Sequence, residues 1–153
     1  MFTYVSSLST FIGLVTGSVI GMSVLSSLVS LTCSKTYDLI GSYATCKNPD
    51  FKEVYDYIKK NDLLSKILRI EQVIYDSDKI DKKSVQISKN HINEILNLIN
   101  DTLKELKEKE EYYNSLYFKN WRIRKYNCKE LLDKLKDEVN ILEIRFNDLT
   151  KII

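Results

Sequence analysis

CKELLDKLKDEVNILEIRFNDLTKII, residues 128–153, decides the fold. Cys128, Leu132, Leu135, Val139, Leu142, Phe146, Leu149 and Ile153 recur in steps of 4-3-4-3-4-3-4. Residues so spaced line one stripe of an α-helix, and a mean step near 3.5 is the pattern of coiled-coil-like packing. Asn127 with Glu130 three residues on matches a capping box, so this helix is predicted to start at Asn127. Upstream, Ile92, Leu96, Ile99, Leu103 and Leu106, then Glu110, Tyr113 and Tyr117, step by four and three. That row predicts a second helix from about Ser84 to about Phe118, with one charged residue interrupting its apolar stripe. Matching seams and a short connection predict an antiparallel hairpin. Burial of about a dozen such side chains, at roughly 2 kcal/mol each, would supply most of the drive to fold before chain entropy is subtracted.

The pattern continues toward the N-terminus. Asn48, Pro49 and Asp50 read as a helix cap, a first helical position and an acid favoured by the helix dipole. Phe51, Val54, Tyr55 and Ile58 form one helical face. The phase breaks at Asn61–Asp62 and restarts with Leu63, Ile67, Ile70 and Ile74, which predicts a kinked helix or two short ones. Tyr75–Lys83 reads as a polar loop. One Pro and four Gly in 153 residues argue against an all-β protein with many turns. The expected fold is all-α, an apolar glycine-zipper helix followed by a helical bundle with a long antiparallel coiled-coil-like hairpin.

All 23 basic and all 21 acidic residues follow position 34. The chain therefore divides into an apolar segment at 1–34, a connector at 35–48 with Gly41 as its bend, and a soluble bundle at 49–153. Phe11–Leu31 supplies 21 residues without a charged side chain, enough to cross roughly 30 Å of hydrocarbon. Gly13, Gly17 and Gly21 fall four apart, on one helix face that another backbone can approach closely. In a soluble helix three interior glycines would cost on the order of 3 kcal/mol relative to alanine, and close packing is the available source of recovery. The expected role is a transmembrane or membrane-associating helix; a cleaved signal peptide and a buried core helix are the alternatives. Cys33, at the end of the apolar run, is a candidate for juxtamembrane acylation.

The hairpin tip has a second distinctive composition. YYNSLYFKNWRIRKYNCK, residues 112–129, contains no acid but carries Lys119, Arg122, Arg124, Lys125 and Lys129 among six aromatic residues that include Trp121. Cations beside amphipathic rings suit an anionic lipid surface or a protein partner. Nucleic acid is the weaker expectation because the net charge is only +2. A purely structural role, in which the rings close the end of the bundle and the charges are solvated, is weighed above both.

Catalytic signatures are absent from the sequence. Three cysteines and one histidine, with no CxxC pair, give no metal-binding spacing. The glycines lie in an apolar segment rather than in a phosphate loop. No enzyme activity, cofactor or metal is expected.

From Trp121-Arg122 through Leu131-Leu132, Val139, Leu142 and Arg145-Phe146 to Leu149, the chain resembles small helical proteins of nucleocytoplasmic large DNA viruses. Its Lys, Asn and Ile enrichment is similar to what AT-rich viral genomes encode, and the resemblance implies a viral origin and a host-cell or virion membrane. An apolar, glycine-containing first helix before a bundle also resembles the HeLo-type domains of cell-death executioners. The expectation is a non-enzymatic, membrane-anchored or membrane-docking protein with a structural or interaction role, its charged part cytoplasmic. It would contact lipids and self-associate or bind a helical partner, through Gly13, Gly17 and Gly21, through the tip, and through the seam of Leu132, Leu135, Val139, Leu142, Phe146 and Leu149. The alternatives are a membrane-permeabilising bundle and a soluble adaptor with its first helix buried.

Overall fold

The computed structural model describes residues 23–45, 48–119 and 125–153. These residues form five α-helices and two 3-10 turns, and no strand occurs among them. Helix α1 spans Val24–Tyr43, α2 Lys52–Lys60, α3 Leu63–Asp76, α4 Lys83–Lys119 and α5 Lys129–Ile152.

The hairpin is formed by α4 and α5, which pack antiparallel. With 37 residues, α4 is about 55 Å long and is the central strut. Its other side receives α1, and α3 lies on α1. Val29, Tyr43, Leu63, Ile67, Ile92, Leu96, Ile99, Leu103, Leu106 and Leu135 are fully buried in the shared core. The Tyr43 hydroxyl, enclosed in that core, donates to the Leu103 carbonyl at 2.9 Å. Cys128 rather than Asn127 is the N-cap of α5. The Asn127 side chain instead accepts from the Lys129 amide at 3.0 Å, one step outside the helix.

Helix α1 runs across the expected division at residue 34. It is capped by Ser23, whose backbone is extended and whose side chain accepts from the Ser26 amide, and it runs unbroken to Tyr43. The change from uncharged to charged sequence at Lys35 is not a structural boundary. Asp38 is exposed, while Thr36, Ile40 and Tyr43 continue the buried face of Val29 and Cys33. Gly41 lies inside the helix and makes no bend. The buried hydroxyls of Thr32 and Thr36 donate to the carbonyls of Leu28 and Thr32, at 3.0 and 2.9 Å. Ser26, Ser27 and Val29 belong to the bundle interior, so the later part of the Phe11–Leu31 stretch is committed to packing. Among the described residues no helix is long and apolar enough to cross a membrane. Gly13, Gly17 and Gly21 lie outside the described residues.

Asn48, Pro49 and Asp50 open a 3-10 turn, Pro49–Phe51, with the Asn48 side chain accepting from the Asp50 amide at 2.9 Å. The phase break at Asn61–Asp62 is a true helix boundary. Asp62 adopts φ 47°, a left-handed conformation that separates α2 from α3. The polar loop after α3 contains the second 3-10 turn, Ser77–Lys79.

Candidate functional site: the polar lock at the start of α1

Val85, Lys89, Ile92, Leu96, Ile99, Leu103, Leu106 and Glu110 continue the four-three row of α4 toward its start. Lys89 therefore projects into the core, and its side chain is 0% exposed. Its ammonium donates to Asp78 Oδ1 at 2.7 Å and to Ser26 Oγ at 3.2 Å. Asp78 sits on the 3-10 turn after α3. Its Oδ1 also accepts from the hydroxyls of Ser23, at 2.9 Å, and Ser26, and its Oδ2 accepts from the Ser23 amide at 2.9 Å. One carboxylate thus ties the N-cap and first turn of α1 to the α3–α4 turn and to α4.

A buried ion pair stabilises only when its remaining hydrogen-bonding capacity is met. Here it is met by the Ser23 and Ser26 donors. Burial pushes the Asp78 carboxyl up, but the bonds from Lys89, Ser26 and Ser23 outweigh it and hold the group below the usual carboxylate range. The ionised carboxylate lies at the positive end of the α1 dipole, which favours the charge further.

A second carboxylate repeats the device two turns along. Glu71 of α3 accepts from Ser30 Oγ at 2.7 Å and from the Tyr37 hydroxyl at 2.5 Å, both on α1. Burial and the bond to Glu71 push the Tyr37 phenol up. Cys33 lies between Ser30 and Tyr37 on this face and is fully buried. Burial, with the nearby Glu71 charge, pushes its thiol up to about 12. A thiol enclosed in this way is closed to acylation in the folded bundle, which corrects the expectation for Cys33. Beside these ties, Ser26, Ser30, Leu68, Glu71, Gln72 and Tyr75 line an α1–α3 groove of about 380 Å³.

The hairpin tip is used in part for closure. Tyr126 stacks on Phe51, with ring centroids 5.1 Å apart, and lies 4.9 Å from Tyr113. The Tyr126 amide donates to Asp50 Oδ2 at 3.1 Å, and Asn48 Nδ2 donates to Asn114 Oδ1 at 2.7 Å. The Pro49–Phe51 turn is thereby fastened to the tip. Lys125 is exposed. The Lys119 side chain and residues Trp121, Arg122 and Arg124 lie outside the described residues. In the seam, Leu132, Leu135, Val139, Leu142 and Leu149 are buried, and Phe146 is half-buried beside α3.

Two further acids are buried among the described residues of the hairpin. Glu138 Oε1 accepts from Thr102 Oγ1 at 2.9 Å, while its Oε2 has no partner among the described residues, and burial raises its pKa. Glu110, on the α4 row, is 3.4 Å from the Lys107 ammonium. Among the described residues no group of three or more His, Cys, Asp or Glu side chains could hold a metal ion.

The spacing of α4 carried a signal for the lock. Lys89 occupies an apolar register position, and a cation there has to find a buried anion. Asp78 had no such signal, because a loop acid reads as solvated. The chain matches no protein-family model, no curated protein and no solved structure.

Proposed function

We propose that this is a non-enzymatic membrane-docking protein in which residues 1–22 engage the bilayer and the bundle from Ser23 onward is the interaction module. The observation that carries the proposal is the lock at Ser23. It fixes the start of α1 with a buried carboxylate and lysine, at the point where 22 consecutive residues without a charged side chain join a closed core. A helix of that length would measure about 33 Å, comparable to the hydrocarbon thickness of a bilayer. The Gly13, Gly17 and Gly21 spacing supports close helix pairing within it, and Lys125 with its basic neighbours in sequence supports contact with anionic headgroups.

Flotation of the full chain with phosphatidylcholine–phosphatidylserine vesicles, followed by carbonate extraction, tests the proposal. The wild type should float and resist extraction, and Leu14→Lys should remain in the soluble fraction. Flotation followed by release in carbonate would reject an inserted anchor, and failure of the wild type to float would reject membrane docking. That outcome, together with monodisperse protein in the absence of detergent, would favour a soluble adaptor, the reading that the burial of Ser26, Ser27 and Val29 supports.

A further inference from the structure

Helices α3 and α5 face each other across a gap, and two side-chain bridges span it. Lys66 pairs with Glu143, and the Arg69 guanidinium lies 5.8 Å from the centroid of the Phe146 ring. Between these bridges is a groove of about 370 Å³. Ile70 and Leu142 form its apolar floor and Phe146 one wall. Phe146 occupies a seam position, yet it is only half-buried because the seam opens here toward α3.

The rim has an uncompensated charge. Glu143 is engaged by Lys66, whereas Arg69 makes no ion pair among the described residues. A guanidinium presents its donors in a fixed fork that matches a carboxylate, and Asn147 adds an amide on the opposite rim. The volume lies near the lower end of the range for ligand sites, about 300–1,000 Å³, so it suits one hydrocarbon chain rather than two. Glu143 at the rim disfavours a dianionic head more than a monoanionic one.

From this arrangement we infer that the α3–α5 groove binds a single-chain amphiphile with a carboxylate head, a long-chain fatty acid. The chain lies on Ile70, Leu142 and Phe146, and the carboxylate meets Arg69 and Asn147. Occupancy does not depend on the membrane role proposed for residues 1–22.

The test is titration of the full-length protein with oleate below its micellar concentration, in parallel with oleyl alcohol. Two exposed-site variants, Arg69→Gln and Thr150→Trp, are checked first for an unchanged thermal midpoint. Thr150 lines the groove, and the indole would fill it. Saturable binding of one oleate is expected, weakened about 5- to 10-fold by Arg69→Gln, as loss of one exposed charge-assisted contact implies. Oleyl alcohol should bind more weakly and be indifferent to Arg69→Gln, and Thr150→Trp should abolish binding of both. Absence of oleate binding, equal binding of the alcohol, or binding unchanged in Thr150→Trp would each overturn the assignment, the last placing the ligand elsewhere on the chain.

Discussion

Lys89 stands on a row that is otherwise apolar from Val85 to Leu106, and a leucine there would pack without any partner. The ion pair with Asp78 therefore contributes register as much as energy, because it holds Ser23, the turn and α4 in one relation. Asp78 and Glu138 respond to pH in opposite senses. The Asp78 pKa is depressed in the folded chain, so its contribution is complete above the unfolded value and is lost as the pH falls through the folded one. Glu138 is raised by burial, so its contribution is complete below the unfolded value and is lost as the pH rises through the folded one. Glu138→Gln keeps an oxygen for Thr102 and removes the charge that burial disfavours. It should stabilise the protein by about 1 kcal/mol at pH 7 and leave it nearly unchanged at pH 4. Chemical denaturation at the two pH values measures the difference, and an equal effect at both would contradict a raised carboxyl at this site.

At the scale of elements, the parts legible in the sequence were those with a periodic or stereochemical cause. The Asn48-Pro49-Asp50 start, the break at Asn61–Asp62 and the 4-3 seam of α5 from Cys128 to Leu149 correspond to observed features, although Phe146 is only half-buried and the last seam position, Ile153, is exposed. The continuation of α1 through residues 35–43 was not legible, because the eye follows charge and the chain follows packing. Lys35 and Asp38 interrupt an uncharged run, but Thr36, Ile40 and Tyr43 preserve its inward face. Gly41 was misleading for the same reason, since glycine permits a bend without requiring one. A Cβ added at Gly41 would meet nothing within 4 Å, and the residue lies within a regular helix. Gly41→Ala should therefore stabilise the protein by about 0.5–1 kcal/mol, through helix propensity and a less flexible unfolded chain. A raised thermal midpoint is the expected reading, and a lowered one would show that α1 bends there in solution.

On the scale of the whole molecule, the candidate site was legible only in fragments. The row read from Ile92 stopped short of Lys89, which lies on it one step earlier, and its partner Asp78 and the serines come from a loop and a neighbouring helix, which spacing along one helix cannot reveal. The assembled lock bears on how the chain would engage a membrane. If residues 11–31 crossed a bilayer, Val24–Leu31 would have to leave the bundle, the bonds of Ser23, Ser26 and Ser30 to Asp78 and Glu71 would break, and Cys33 would lose its cover. If insertion stops at residue 22, the lock stays closed and Cys33 stays buried. Maleimide labelling of Cys33 in a Cys46→Ser, Cys128→Ser background separates the two. The thiol reacts only through opening of α1, because burial and its raised pKa suppress attack from the folded state. Labelling should be equally slow in solution and on anionic vesicles. Lys89→Met leaves Asp78 without its buried cation, a loss of about 3–5 kcal/mol, and should speed labelling at least roughly 100-fold in both settings. Vesicles that accelerate labelling of the Lys89 protein to the rate of the Lys89→Met variant would show that α1 is drawn out on the membrane, and would move the boundary of the inserted segment past the lock.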